Sequence, residues 1–159
     1  MIKNQFELFK TKRFFPLFIV QFFGAFNDNV FKNALVILLT YKLTDQLSFS
    51  TEITVSLAAG IFIFPFFLFS ATAGKIADKY EKSKIIQRIK YAEVFLMLGA
   101  TIGFYLNSVW VLMIVLFGLG AQSSFFGPVK YGILPEHLTE DELIGGNGLI
   151  SSGTFLSIL

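Results

Sequence analysis

Long apolar runs alternate with short polar ones along this chain. Runs long enough to cross a hydrocarbon core, which takes roughly 17 to 25 helical residues, fall at about 14–40, 53–74, 91–107, 109–127 and from 143 onward. A backbone in lipid must satisfy its own polar groups, so each run is either a helix or one strand of a closed barrel. Barrel strands alternate in polarity over about ten residues, and "VLMIVLFGLGA", residues 111–121, does not alternate. The pattern predicts an all-α membrane protein with about five spanning helices.

Composition supports that class. Hydrophobic residues make up 54% of the chain, Phe alone numbers 21 and charged residues are 15%, with a mean hydropathy of +0.67. This is too apolar for a soluble domain of the same length. The absence of Cys excludes disulfides, thiolate metal sites and a Cys nucleophile. Nothing implies a metal or a cofactor.

Charge placement orients the spans. A basic lead of Lys3, Lys10, Lys12 and Arg13 precedes the first run, which raises the alternative of a cleaved signal peptide. That run is about twice the length of a signal h-region and lacks an A-x-A site, so a retained span is expected. Of the 13 basic residues, 4 lie in the N-terminal tail, 6 between Lys75 and Lys90, and 1 between Pro128 and Glu142. The segment after the first span carries only Lys42, and the turn at Asn107 and Ser108 carries none. The positive-inside rule then puts the N-terminus and the even loops in the cytoplasm. The final run, "GGNGLISSGTFLSIL", reaches Leu159 without a basic stop. The expectation is an N-terminal piece of a longer protein, from a split gene or a shortened chain.

Small residues within the runs point to helix packing. Gly99 and Gly103 form a G-x-x-x-G, Gly118, Gly120, Ala121, Ser123 and Ser124 form a small patch, and "SATAG" closes the second run. Helices in lipid associate where such residues let backbones approach. Pro65 is expected to kink the second span. "GGNG" at 145–148 lacks the Lys-Ser/Thr of a phosphate loop and also reads as packing.

One polar cluster interrupts the first run: Asn27, Asp28, Asn29, Lys32 and Asn33 in "FFGAFNDNVFKNALVILL". An Asp or Lys at a helix centre costs about 2.5 to 3.5 kcal/mol in lipid. At 100° per residue Gln21, Gly24, Asp28 and Lys32 share a stripe about 80° wide, and Asp28 precedes Lys32 by four residues, the favourable order. Two readings stay open: an ion pair that fixes helix rotation, with Lys32 free to snorkel outward, or a solvated cavity in which Asn27, Asp28 and Lys32 meet a solute. Glu93, near the start of the third span, reads as an acid paired with Lys90, with ion coupling as the alternative.

The stretch "GKIADKYEKSK", Gly74 to Lys84, resembles the signature loop of the major facilitator superfamily, with Glu81 standing where a Gly is usual. The resemblance implies a partial major-facilitator fold, the greater part of its N-terminal six-helix half. It also makes Gly74, Asp78, Lys79 and Lys82 a cytoplasmic conformational gate in which Asp78 meets a helix N-terminus. Together "QFFGAFNDNVFKNAL" and "FFGPVKYGILPEHLTEDELIGGNGLISSGTFLSIL" are similar to the bacterial lysophospholipid transporters of that superfamily, most of all to the transporter part of chains fused to an acyltransferase and an acyl-acyl-carrier-protein synthetase. The resemblance covers essentially all of residues 1–159. It implies that Asp28 and Lys130 line the substrate cavity, although Lys130 is equally readable as a plain cytoplasmic anchor.

An acyltransferase is expected only in a fused downstream domain, because His137 and Asp141 in "HLTED" have three residues between them, which puts Asp141 one residue too early for that family's His and Asp. The expected function is movement of lysophospholipids across the bacterial inner membrane for re-acylation, by alternating access with a missing C-terminal half. The alternatives are a facilitator for another solute, or a non-transporting membrane anchor of the acyltransferase. No nucleic-acid-binding patch is present.

Overall fold

A computed structural model describes residues 5–43 and 49–159; Lys3 of the basic lead lies outside them. Among the described residues every regular element is helical. A short 3-10 helix, η1 (Gln5–Lys10), precedes α1 (Phe15–Tyr41), α2 (Thr51–Lys79), α3 (Lys82–Tyr105), α4 (Val109–His137) and α5 (Glu140–Ile158). Two of these, α2 and α4, are long and apolar enough to cross a membrane. At 1.5 Å per residue their 29 residues reach about 43 Å, beyond the roughly 30 Å hydrocarbon core.

That excess length corrects two expectations. The signature stretch is not a loop: α2 runs through Gly74, Asp78 and Lys79, and α3 begins at Lys82, so only Tyr80 and Glu81 are non-helical. Likewise α4 continues past Pro128 to His137, leaving only Leu138 and Thr139 before α5. Charges end an apolar run, but they do not by themselves end a helix.

The chain divides into two compact units, one of residues 31–129 and one of residues 1–30 with 130–159. In residues 31–129, the core is Phe31, Leu35, Leu39, Ala58, Ala100, Leu112, Val115, Leu116 and Leu119. Glycines set its spacing. A Cβ on Gly103 would lie 2.8 Å from Leu112, one on Gly99 3.2 Å from Val115, and one on Gly118 2.4 Å from Leu96. These partners run in opposite order, so α3 and α4 are antiparallel. Gly120 is tighter still, its absent Cβ 2.2 Å from the Phe62 carbonyl oxygen and 3.2 Å from Pro65. Here α4 touches α2 backbone to backbone.

The turn between α3 and α4 is closed by its own chemistry. Asn107 adopts φ 49°, while the Asn107 and Ser108 amides donate to the Phe104 and Gly103 carbonyls at 3.2 and 3.0 Å. This is a Schellman closure with Asn in its left-handed position, which Asn tolerates. Outward faces are apolar: Phe67 on α2, Phe95 on α3 and Trp110 on α4 are all strongly exposed.

The other unit packs α5 beside η1 and the start of α1. Phe14 and Leu8 reach Gly146, Phe18 lies 2.7 Å from where a Cβ on Gly153 would sit, and Gln5 abuts Gly145. Glycines of "GGNG" thus serve packing, as does the Phe9, Phe14 and Phe18 ring cluster.

Candidate functional site

One stripe of α1 is buried along its whole length: Phe14 just before it, then Leu17, Gln21, Gly24, Asp28, Phe31, Leu35 and Leu39. The spacing alternates three and four, as an inward face requires. Both ends are apolar and the middle is not. Asp28 is 7% exposed and Gln21 5%, so the acid does not escape to the surface. Asn27 beside it is half-buried.

Lys32, four residues after Asp28, is half-buried. Phe31 takes the inward slot, and the Lys32 ammonium lies 4.4 Å over the Phe62 ring, where the negative face of the ring attracts it. Lys130 on α4 is 9% exposed, with its Nζ 4.6 Å over the Tyr131 ring. Asp28, Asn27 and Lys130 belong to the same unit, and Lys32 to the other.

Two further contacts complete the first of these units. Gln21 Nε2 donates to Thr154 Oγ1 at 2.7 Å, and Thr154 Oγ1 donates to the Ile150 carbonyl at 2.9 Å. Arg13 donates to the His137 carbonyl at 2.8 Å and to Glu142 Oε1 at 2.7 Å. The other Glu142 oxygen accepts from the Thr139 amide at 3.1 Å, capping α5. That amide, then Arg13, holds the Glu142 carboxyl below its ordinary pKa. One guanidinium therefore joins the C-terminal end of α4 to the first turn of α5.

The expected gate residues belong to the other unit: Gly74 has open space around it, Asp78 and Lys79 are exposed, and Lys82 is half-buried. Glu93 is buried and pairs with Lys90 at 2.5 Å, the Lys90 Nζ lying 5.1 Å over the Phe126 ring. His137 and Asp141 are both exposed. Among the described residues no group of three metal-ligating side chains occurs.

Thr154, Arg13 and Glu142 are functional candidates that sequence reasoning passed over. "TEDE", residues 139–142, carried a readable capping-box signal. The Gln21 to Thr154 bond joins residues 133 apart and left no local trace.

Comparison with known proteins supplies the remaining finding. Over 140 residues, 87% of its length, the chain is 32% identical to the lysophospholipid transporter LplT of Enterobacter sp. (strain 638). Over 142 residues, 89% of its length, it is 32% identical to the proteins of that name from Escherichia fergusonii and Escherichia coli K12 strain DH10B. The chain spans about a third of the length of these curated relatives. No protein-family model and no solved structure matches it.

Proposed function

We propose that this chain, a relative of the lysophospholipid transporters over 89% of its length, forms the first part of a transporter that moves lysophospholipids across a membrane. The observation that carries the reading is the burial of Asp28 in the polar middle of a helix face whose two ends are apolar. A charge kept where it is costly marks a solute path more often than a scaffold. A lysophosphatidylethanolamine headgroup bears an ammonium and a phosphate. Asp28 answers the first and Lys130, buried in the same unit, the second. Phe-rich walls take the acyl tail.

Alternating access arises as this part rocks against the remaining two-thirds of the protein. Asp78, exposed at the end of α2, gates that motion, with Lys79 and Lys82 beside it. The bacterial inner membrane, a cytoplasmic N-terminus and delivery to a fused or separate acyltransferase for re-acylation complete the proposal. The chain contributes transport and no acyl-transfer chemistry.

Labelled-lysolipid uptake by the intact transporter tests this. Asp28→Asn should leave insertion intact and lower lysophosphatidylethanolamine uptake by roughly ten- to a hundredfold, the loss of one charge-assisted contact. A lysolipid without an ammonium should suffer less. Full rescue by Asp28→Asn with Lys32→Gln would reduce Asp28 to a structural partner of Lys32.

A further inference from the structure

Gln21 holds an oriented acceptor that none of the described residues contacts by a hydrogen bond. A hydroxyl has one proton, and the proton of Thr154 is committed to the Ile150 carbonyl. Towards Gln21, Thr154 Oγ1 therefore only accepts, and the amide must present Nε2 to it, as it does at 2.7 Å. This removes the amide's freedom to flip and leaves Oε1 as an acceptor filled by none of the described residues. Gln21 is 5% exposed, and an amide held this deep with one end open is suited to a ligand donor.

Its place on α1 says which donor. Asp28 follows seven residues later on the same buried stripe, about 10.5 Å along the axis at 1.5 Å per residue. Gly24, between them, contributes no side chain. In a lysophosphatidylethanolamine the ammonium nitrogen and the free glycerol hydroxyl oxygen are eight bonds apart. At the roughly 1.2 Å advance per bond of an extended chain they span at most about 10 Å. With the ammonium on Asp28, the hydroxyl comes level with Gln21.

We propose that Gln21 Oε1 accepts the free glycerol hydroxyl of the lysolipid and so distinguishes it from a lipid acylated at that oxygen. An ester there has no proton to give and would leave the amide oxygen unpaired. Sites built to bind a hydroxyl reject analogues lacking it. Thr154 is the positioning residue that orients the amide. The inference rests on the lysolipid reading above.

The test compares lysophosphatidylethanolamine with its glycerol O-methyl analogue, which keeps the headgroup and tail but loses the donor, in vesicles carrying the intact transporter. The wild type should favour the free hydroxyl by about three- to tenfold, one neutral hydrogen bond. Gln21→Leu should slow the hydroxyl lipid to the rate of its analogue while changing the analogue little. Thr154→Val, a smaller disturbance, should narrow the preference without abolishing transport, and Thr154→Ser should restore it. Equal slowing of both lipids by Gln21→Leu, or a preference unchanged in Thr154→Val, would reduce the pair to a helix tie and overturn the proposal. No preference in the wild type would overturn it while leaving lysolipid transport standing. A wild type that moves neither lipid would remove the lysolipid reading and this inference together.

Discussion

In residues 31–129 the helices close because side chains are missing. In residues 1–30 and 130–159 they close on polar groups as well. The first unit stacks Gly99, Gly103, Gly118 and Gly120 against neighbouring helices, gaining dispersion over short distances with no polar partner to satisfy. The second ties Gln21 to Thr154 and Arg13 to both His137 and Glu142. Close packing resists deformation, whereas hydrogen-bonded seams can exchange a partner for a ligand. Stability and recognition therefore should separate between the two units when each is perturbed.

The sharpest test is Gly120→Leu. Its first side-chain carbon falls 2.2 Å from a backbone oxygen, which cannot swing aside, so a loss of about 3 kcal/mol or more is expected. Folded yield and thermal aggregation in detergent would register it, and a normal protein would show that the α2–α4 contact is not tight. Gly118→Ala meets Leu96 at 2.4 Å, but only the flexible end of that side chain; about 1 kcal/mol is expected as it moves. Similar cost for both would erase the distinction between backbone and side-chain contact.

In the polar unit, Glu142→Gln should cost about 0.3 to 1.5 kcal/mol, the scale of a helix-end contact. Its sign with pH follows from the lowered carboxyl pKa. The ionised acid contributes fully above its ordinary value of 4.5, and that contribution is lost as pH falls through the lower folded value. The gap between wild type and variant should therefore close only in acid below pH 4.5, measurable by melting at stepped pH. The smallest effect is Gly127→Ala, which meets nothing within 4 Å. Restored helix propensity makes it neutral or stabilising by at most about 0.5 to 1 kcal/mol, and clear destabilisation would mean that this face of α4 is covered.

Much of this was legible in the chain. Helical class follows from run length, and the inward placement of Gln21, Gly24 and Asp28 follows from 100° steps alone. At Lys32 the side chain is half-buried and its ammonium lies over the Phe62 ring, a contact between helices that 100° steps along one helix do not announce. Helix ends were misjudged where polarity was taken for termination: residues 75–79 contain no Gly or Pro, and Lys75, Ala77 and Lys79 among them are good helix formers, so α2 continues. Pairings such as Gln21 with Thr154 need the fold, because nothing within a helical turn announces a partner 133 residues away.

That separation also has a price in time. At about 5 to 20 residues per second of synthesis, Thr154 emerges about 7 to 27 s after Gln21. Throughout that interval α1 has no α5 beside it, and its amide is without the partner that orients it. A helix that must wait so long for its neighbour is a natural client of the insertion machinery. Stalled nascent chains should crosslink α1 to that machinery until the length passes α5, and release it afterwards.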